Sequence, residues 1–108
     1  MRKIYSSNDR GEMRYQHRET VTDATSAPLG MPNDGNDRLV VVSPGVVAGD
    51  TCRIEFTASS AAAIENSTAT WVAWSLGNVT ALSSLVFSGR VTALRLVSVG
   101  IGTWEVSA

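Results

Sequence analysis

From residue 39 onward the chain alternates between apolar and polar positions with the period of an extended strand. Residues 51–58 are the clearest case. Cys52, Ile54, Phe56 and Ala58 fall on one face and Thr51, Arg53, Glu55 and Thr57 on the other, the pattern of a half-buried antiparallel strand. Upstream, the β-branched run at 39–43 stops at the turn dipeptide Pro44-Gly45. Residues 68–76 predict another strand, closed by Gly77-Asn78, with Trp71 and Ala73 on one side and Val72, Trp74 and Leu76 on the other. Residues 79–87 fit a strand or a helical turn followed by one, and the strand is favoured over 85–88. Residues 90–98 and 103–107 predict two more strands flanking Gly100-Ile101-Gly102, a natural hairpin connection. Short strands at this spacing predict an all-β fold, a small jelly-roll-like β-sandwich. The runs at 68–76 and 90–98 are apolar or small on both faces. Their second face either fills a thin sandwich or meets a neighbouring subunit.

The first 38 residues read differently. They hold twelve of the nineteen charged side chains, and after Met1 their large apolar residues are few: Ile4, Met13, Val21, Leu29 and Met31, with Tyr5 and Tyr15. Ordering a backbone costs ~1–2 kcal/mol per residue, more than so few side chains offset, so the segment is predicted to be mobile alone and ordered on a partner. Residues 10–19 have the length of about two helical turns, poorly capped and marginal in water. Residues 27–37 gather Pro28, Gly30, Pro32, Asn33, Asp34 and Gly35, turn chemistry throughout. The predicted organisation is an extended polar N-terminal arm and linker over 1–38 and a β-sandwich domain over 39–108. Deleting residues 1–23 should then leave the sandwich folded. A sandwich of roughly 70 residues buries little more than ~60% of its unfolded surface. With one cysteine in the chain and hence no internal disulfide, oligomerisation is the expected source of further stability.

Composition narrows the function classes. The formal net charge of -1 argues against an electrostatic nucleic-acid binder. No apolar run approaches the ~20 residues of a spanning helix, and the start MRKIYSSNDR lacks the apolar core of a secretory signal. The single histidine, His17, sits among charges and reads as a surface side chain; Cys52 reads as a small buried hydrophobe. Residues 33–37 (NDGND) lack the spacing and terminal glutamate of a calcium loop. No helix pattern follows Gly100-Ile101-Gly102, which excludes a dinucleotide fingerprint. No catalytic constellation, metal site or cofactor is predicted, and a non-enzymatic role is the expectation. Three tryptophans, Trp71, Trp74 and Trp104, leave a carbohydrate-binding platform open, built from Trp104 with Trp71 or Trp74, although packing explains them better.

Residues 88–97 (SGRVTALRLV) followed by 100–106 (GIGTWEV) resemble the C-terminal hairpin of small bacteriophage virion proteins, in which a strand of this type precedes a G-x-G turn and a short strand. The resemblance implies structural work in a virus particle: a head decoration or cement protein, or alternatively a tail or fibre adaptor. It implies assembly in a host cytoplasm, residence in the virion, and the major capsid protein or other virion proteins as partners. A homo-oligomer is implied too, a trimer if it occupies three-fold positions, with neither nucleic acid nor membrane bound. The partner-binding residues expected on this reading are the basic and aromatic side chains of the arm: Arg2, Lys3, Tyr5, Arg10, Arg14, Tyr15 and Arg18, types favoured at interfaces.

Overall fold

The computed structural model describes residues 2–3, 5–9, 12–32 and 35–107. Ten strands and one helical turn follow in chain order: β1 (Arg2–Lys3), β2 (Tyr5–Asp9), β3 (Glu12–Thr22), β4 (Leu29–Gly30), β5 (Gly35–Pro44), β6 (Thr51–Thr57), α1 (Ala61–Glu65), β7 (Val72–Ala73), β8 (Ser83–Gly89), β9 (Ala93–Val99) and β10 (Ile101–Ser107). They form two five-stranded sheets, one ordered β1-β4-β9-β6-β7 and the other β2-β3-β10-β5-β8. Pairing is antiparallel except between β1 and β4. The two orders correspond position by position. Each strand of the first sheet is joined directly in the chain to the strand at the same place in the second, so the sandwich is a stack of five β-arches. The all-β sandwich predicted from strand periodicity is the fold observed.

Periodicity explains the core. Cys52 and Ile54 on β6 point inward as their alternation requires, and Leu94 and Leu96 meet them from β9. From the other sheet come Val40 and Val42 on β5, Trp104 and Val106 on β10, and Phe87 on β8. Leu29 and Val21 complete the cluster. Both belong to the part of the chain expected to be an arm. That expectation is corrected over residues 12–32. Glu12–Thr22 is neither a mobile arm nor a helix but a strand, paired with β10 from Gln16 through Thr22. Nor does the chain divide at Arg38, which lies within β5 with its side chain fully buried. Its guanidinium donates to the carbonyls of Pro32, at 2.6 Å, and Asn36. The polar sequence of β3 hides its role because half of a strand on a sheet needs no apolar side chains.

The connection at residues 99–101 also departs from its prediction. β9 and β10 are not a hairpin; they lie in different sheets, and Gly100, at φ +74, turns the chain from one to the other. Here a left-handed residue is needed, and Asp23 Oδ1 accepts the Gly100 N–H at 2.7 Å. Gly102 is buried where a Cβ would overlap Cys52 Sγ and lie 2.9 Å from Ser98 Oγ. The predicted strand at 68–76 shrinks to the two residues of β7. Trp74 enters the core, with its Nε1 donating to the Gly77 carbonyl at 2.6 Å. α1 is an alanine-rich turn capped by Ser60, whose Oγ accepts from the Ala63 N–H.

Candidate interaction surface

The outer face of the sheet containing β10 is organised in cross-strand rows. One row runs Arg18, Glu105, Val41, Ser84 across β3, β10, β5 and β8; the next runs Gln16, Ser107, Leu39, Val86. Alternation dictates these faces, because Glu19, Trp104, Val40 and Phe87 point the other way into the sandwich. The face is therefore split. Its β3–β10 side is polar, with Thr20 and Thr103 hydroxyls joined at 2.9 Å, and its β5–β8 side is aliphatic, with Leu39 and Val86 exposed. Where the two halves meet, Gln16, Arg18, Leu39, Val41, Glu105 and Ser107 line a cleft of about 450 Å³, with His17 and Val106 at its wall.

Arg18 Nε meets Glu105 Oε1 at 2.8 Å, and the two side chains are 72% and 55% exposed. An exposed pair of this kind contributes only about 0–1 kcal/mol, so it separates at little cost and offers both a cation and an anion beside an aliphatic floor. That combination can meet charge of either sign and apolar surface at one place.

Below this face the strand is fixed from inside. Trp104 Nε1 donates to Glu19 Oε1 at 3.0 Å, and His17 Nε2 lies 3.3 Å from the same oxygen. The His17 ring packs edge-on against Trp104, centroids 5.5 Å apart. His17 is thus not the surface side chain expected; it is mostly buried and pins β3 to β10. Cys52 is buried as expected. Burial pushes its thiol up, a hydrogen bond from Ser98 pulls it back, and Asp50 adds to the rise.

The opposite sheet carries a second polar cluster on its outer face. Arg95, facing Glu55 in register, donates to Glu55 Oε1 through Nε at 2.8 Å and Nη2 at 2.6 Å. Arg53 Nε donates to the other carboxylate oxygen at 3.0 Å, and the Arg95 guanidinium lies 4.1 Å from the centre of the Trp71 ring. Burial raises the Glu55 carboxyl, but the hydrogen bonds and charges of Arg95 and Arg53 together outweigh it and hold the group below its usual range. Every charged group here is engaged, which makes the cluster a brace across β6 and β9. The tryptophan platform is not formed: Trp104 and Trp74 are in the core, and Trp71 is covered by Arg95. Among the described residues no three or more His, Cys, Asp or Glu side chains gather closely enough to hold a metal ion.

The residues expected to bind a partner are dispersed. Arg2 and Lys3 lie in β1, at the edge of one sheet, while Tyr5 in β2 and Arg14, Tyr15 and Arg18 in β3 belong to the other. Arg10 lies outside the described residues. Arg18 reaches the cleft; Leu39, Val41 and Glu105 join it there without having been anticipated. Leu39 and Val41 come from the apolar run at 39–43, which by itself reads as core. No protein-family model, curated protein or solved structure matches the chain, and no helix is long and apolar enough to cross a membrane among the described residues.

Proposed function

We propose that this protein is a non-enzymatic structural component of a bacteriophage particle, a capsid decoration or cement protein assembled in the host cytoplasm and carried in the virion. It binds the major capsid protein or another virion protein, with no part for nucleic acid, membrane or cofactor. The observation that carries the reading is the split outer face of β3, β10 and β5. It offers an aliphatic floor of exposed Leu39 and half-buried Val41 beside a loosely held Arg18–Glu105 pair, the mixture of apolar and polar groups typical of protein interfaces. The likeness of residues 88–97 and 100–106 to small virion proteins is in sequence alone, since β9 and β10 form an arch here and not the hairpin of those proteins, and it supports the same reading. In this view attachment is made by a sheet face that includes Arg18, rather than by a free arm.

The test is direct. Particles purified from a lytic culture that produces the chain should contain it at a fixed ratio to the major capsid protein. A few copies per particle would point instead to a tail or fibre adaptor. An Arg18→Glu, Leu39→Asp variant should fold yet remain in the soluble fraction. Particles free of the wild-type chain would overturn the proposal.

A further inference from the structure

We infer that the β8 edge pairs with the β8 edge of a second copy, antiparallel and centred on Val86, joining two sandwiches through one continuous ten-stranded sheet. The edge strands differ in how they are protected. β1 is two residues long and wholly basic, β7 is two residues long, and β2 carries Asp9. β8 is seven residues, Ser-Ser-Leu-Val-Phe-Ser-Gly, with no charge and no proline, and β5 is its only neighbour among the described strands. Natural edges are normally blunted by shortness, charge, proline or a bulge, because a row of free N–H and C=O groups recruits another strand. β8 is neither short, charged nor interrupted by proline, and the one register shift in its ladder, between Gly35 and Arg38 of β5, lies at its Gly89 end and leaves Ser83 to Phe87 regularly paired.

The occupant is identified by the sequence of the strand itself. A two-fold axis at Val86 sets Ser84 opposite Ser88, Leu85 opposite Phe87 and Val86 opposite Val86, with Ser83 and Gly89 at the ends. Small polar residues meet small polar residues and apolar residues meet apolar ones, so the strand complements itself, as an isologous contact requires. The neighbouring face agrees. Val86 is 57% exposed and sits in register with Leu39, 43% exposed. Pairing at Val86 sets Leu39, Val86 and their counterparts on the second copy in one aliphatic row, where cross-strand apolar contacts stabilise the sheet. Leu82, 72% exposed just before the strand, extends the apolar border. This inference shares Leu39 with the proposed attachment face, but its test reads self-association alone and needs no particle.

The full-length chain should sediment as a dimer in the micromolar range. Directly opposed residues on antiparallel strands have Cα atoms about 4.5–5.5 Å apart, inside the span of a disulfide. Val86→Cys should therefore link to itself on mild oxidation, while Cys52 stays buried and silent. Ser84→Cys alone should not link, but a mixture of Ser84→Cys and Ser88→Cys should. Val86→Lys and Val86→Glu, at an exposed position that leaves circular dichroism unchanged, should each weaken the dimer by about tenfold or more, since like charges then face each other. Mixing the two should restore it. A wild-type monomer, or an oligomer in which Val86→Cys links no faster than Ser84→Cys, overturns the inference; the oligomer would leave self-association standing. A dimer linked through Val86 but absent from particles would refute the particle reading alone.

Discussion

Adding one methyl group at Gly102 tests whether the arch between β9 and β10 is as closely packed as described. The new Cβ would overlap Cys52 Sγ, sit 2.9 Å from Ser98 Oγ and 3.3 Å from Ser98 Cβ. Neither neighbour has room to retreat: Cys52 is fully buried, and Ser98 Oγ is held by its bond to the Gly100 carbonyl at 2.8 Å. Overpacking of a tight core costs about 1–3 kcal/mol, and two simultaneous close contacts put Gly102→Ala in the upper half of that range. The loss of backbone freedom in the unfolded chain returns roughly 0.4–1 kcal/mol, leaving a net destabilisation of about 1–2.6 kcal/mol. Cys52→Ala removes the sulfur and about 1 kcal/mol of packing. It also makes the space the methyl needs, so the double variant should be no less stable than Cys52→Ala alone. The coupling is then about 1–2.6 kcal/mol, well outside the few tenths expected of independent sites. Equilibrium urea unfolding followed by tryptophan fluorescence measures all four proteins. Additive effects, or a Gly102→Ala variant within about 0.5 kcal/mol of wild type, a change typical of an unconstrained surface site, would refute the packing argument.

Glu55→Gln should destabilise the fold by about 1.5–3 kcal/mol, the worth of hydrogen bonds to a charged group, as read by the same unfolding assay; a loss below the lower figure would contradict the brace. Because the folded Glu55 carboxyl lies below its usual range, its contribution is present above the unfolded value and lost as pH falls through the folded one. The stability difference between wild type and Glu55→Gln should therefore shrink on acidification, and a constant difference would count against it. Cys52, buried and with its thiol raised, should react with a thiol reagent at pH 8 only as fast as the protein opens, and stoichiometric labelling within mixing time would contradict its placement. Deletion of residues 1–23, which takes away β3 and Val21, should unfold the domain by circular dichroism, the reverse of what an arm predicts.

The sequence exposed the fold class more readily than its wiring. Cys52 and Ile54 alternate with polar residues on a strand flanked by turn residues, and local periodicity suffices to place them. Residues 100–102 misled because a G-x-G turn has the same chemistry in a hairpin and in an arch; only the partners of β9 and β10, remote in sequence, separate the two. β3 was hidden for a related reason. Its inward positions include His17 and Glu19, which are tolerated beneath the sheet because Trp104 supplies an N–H to the carboxylate. At the candidate surface, Arg18 was legible by residue type, whereas Leu39 and Val41 were not. An apolar run reads as core, and their outward direction is fixed only by the register with Ser107 and Glu105.

The stacking order of the arches has a kinetic consequence. Along the sandwich they lie as β1/β2, β3/β4, β9/β10, β5/β6 and β7/β8. The arch translated last of the five occupies the middle, and no hydrogen-bonded ladder joins the first two arches to the two that follow them in the chain. A nascent chain stopped before residue 93 therefore holds two unconnected fragments, each with a bare interior edge. Neither has a template on which to grow. Productive folding waits for the final arch to wedge between them, after which both sheets close together. Such long-range closure is slow compared with folding from local contacts, and it leaves unpaired edges open to wrong partners while it waits. Stopped-flow refolding should show one slow, cooperative phase reported alike by Trp74 and Trp104, and ribosome-arrested chains ending before residue 93 should remain sensitive to protease.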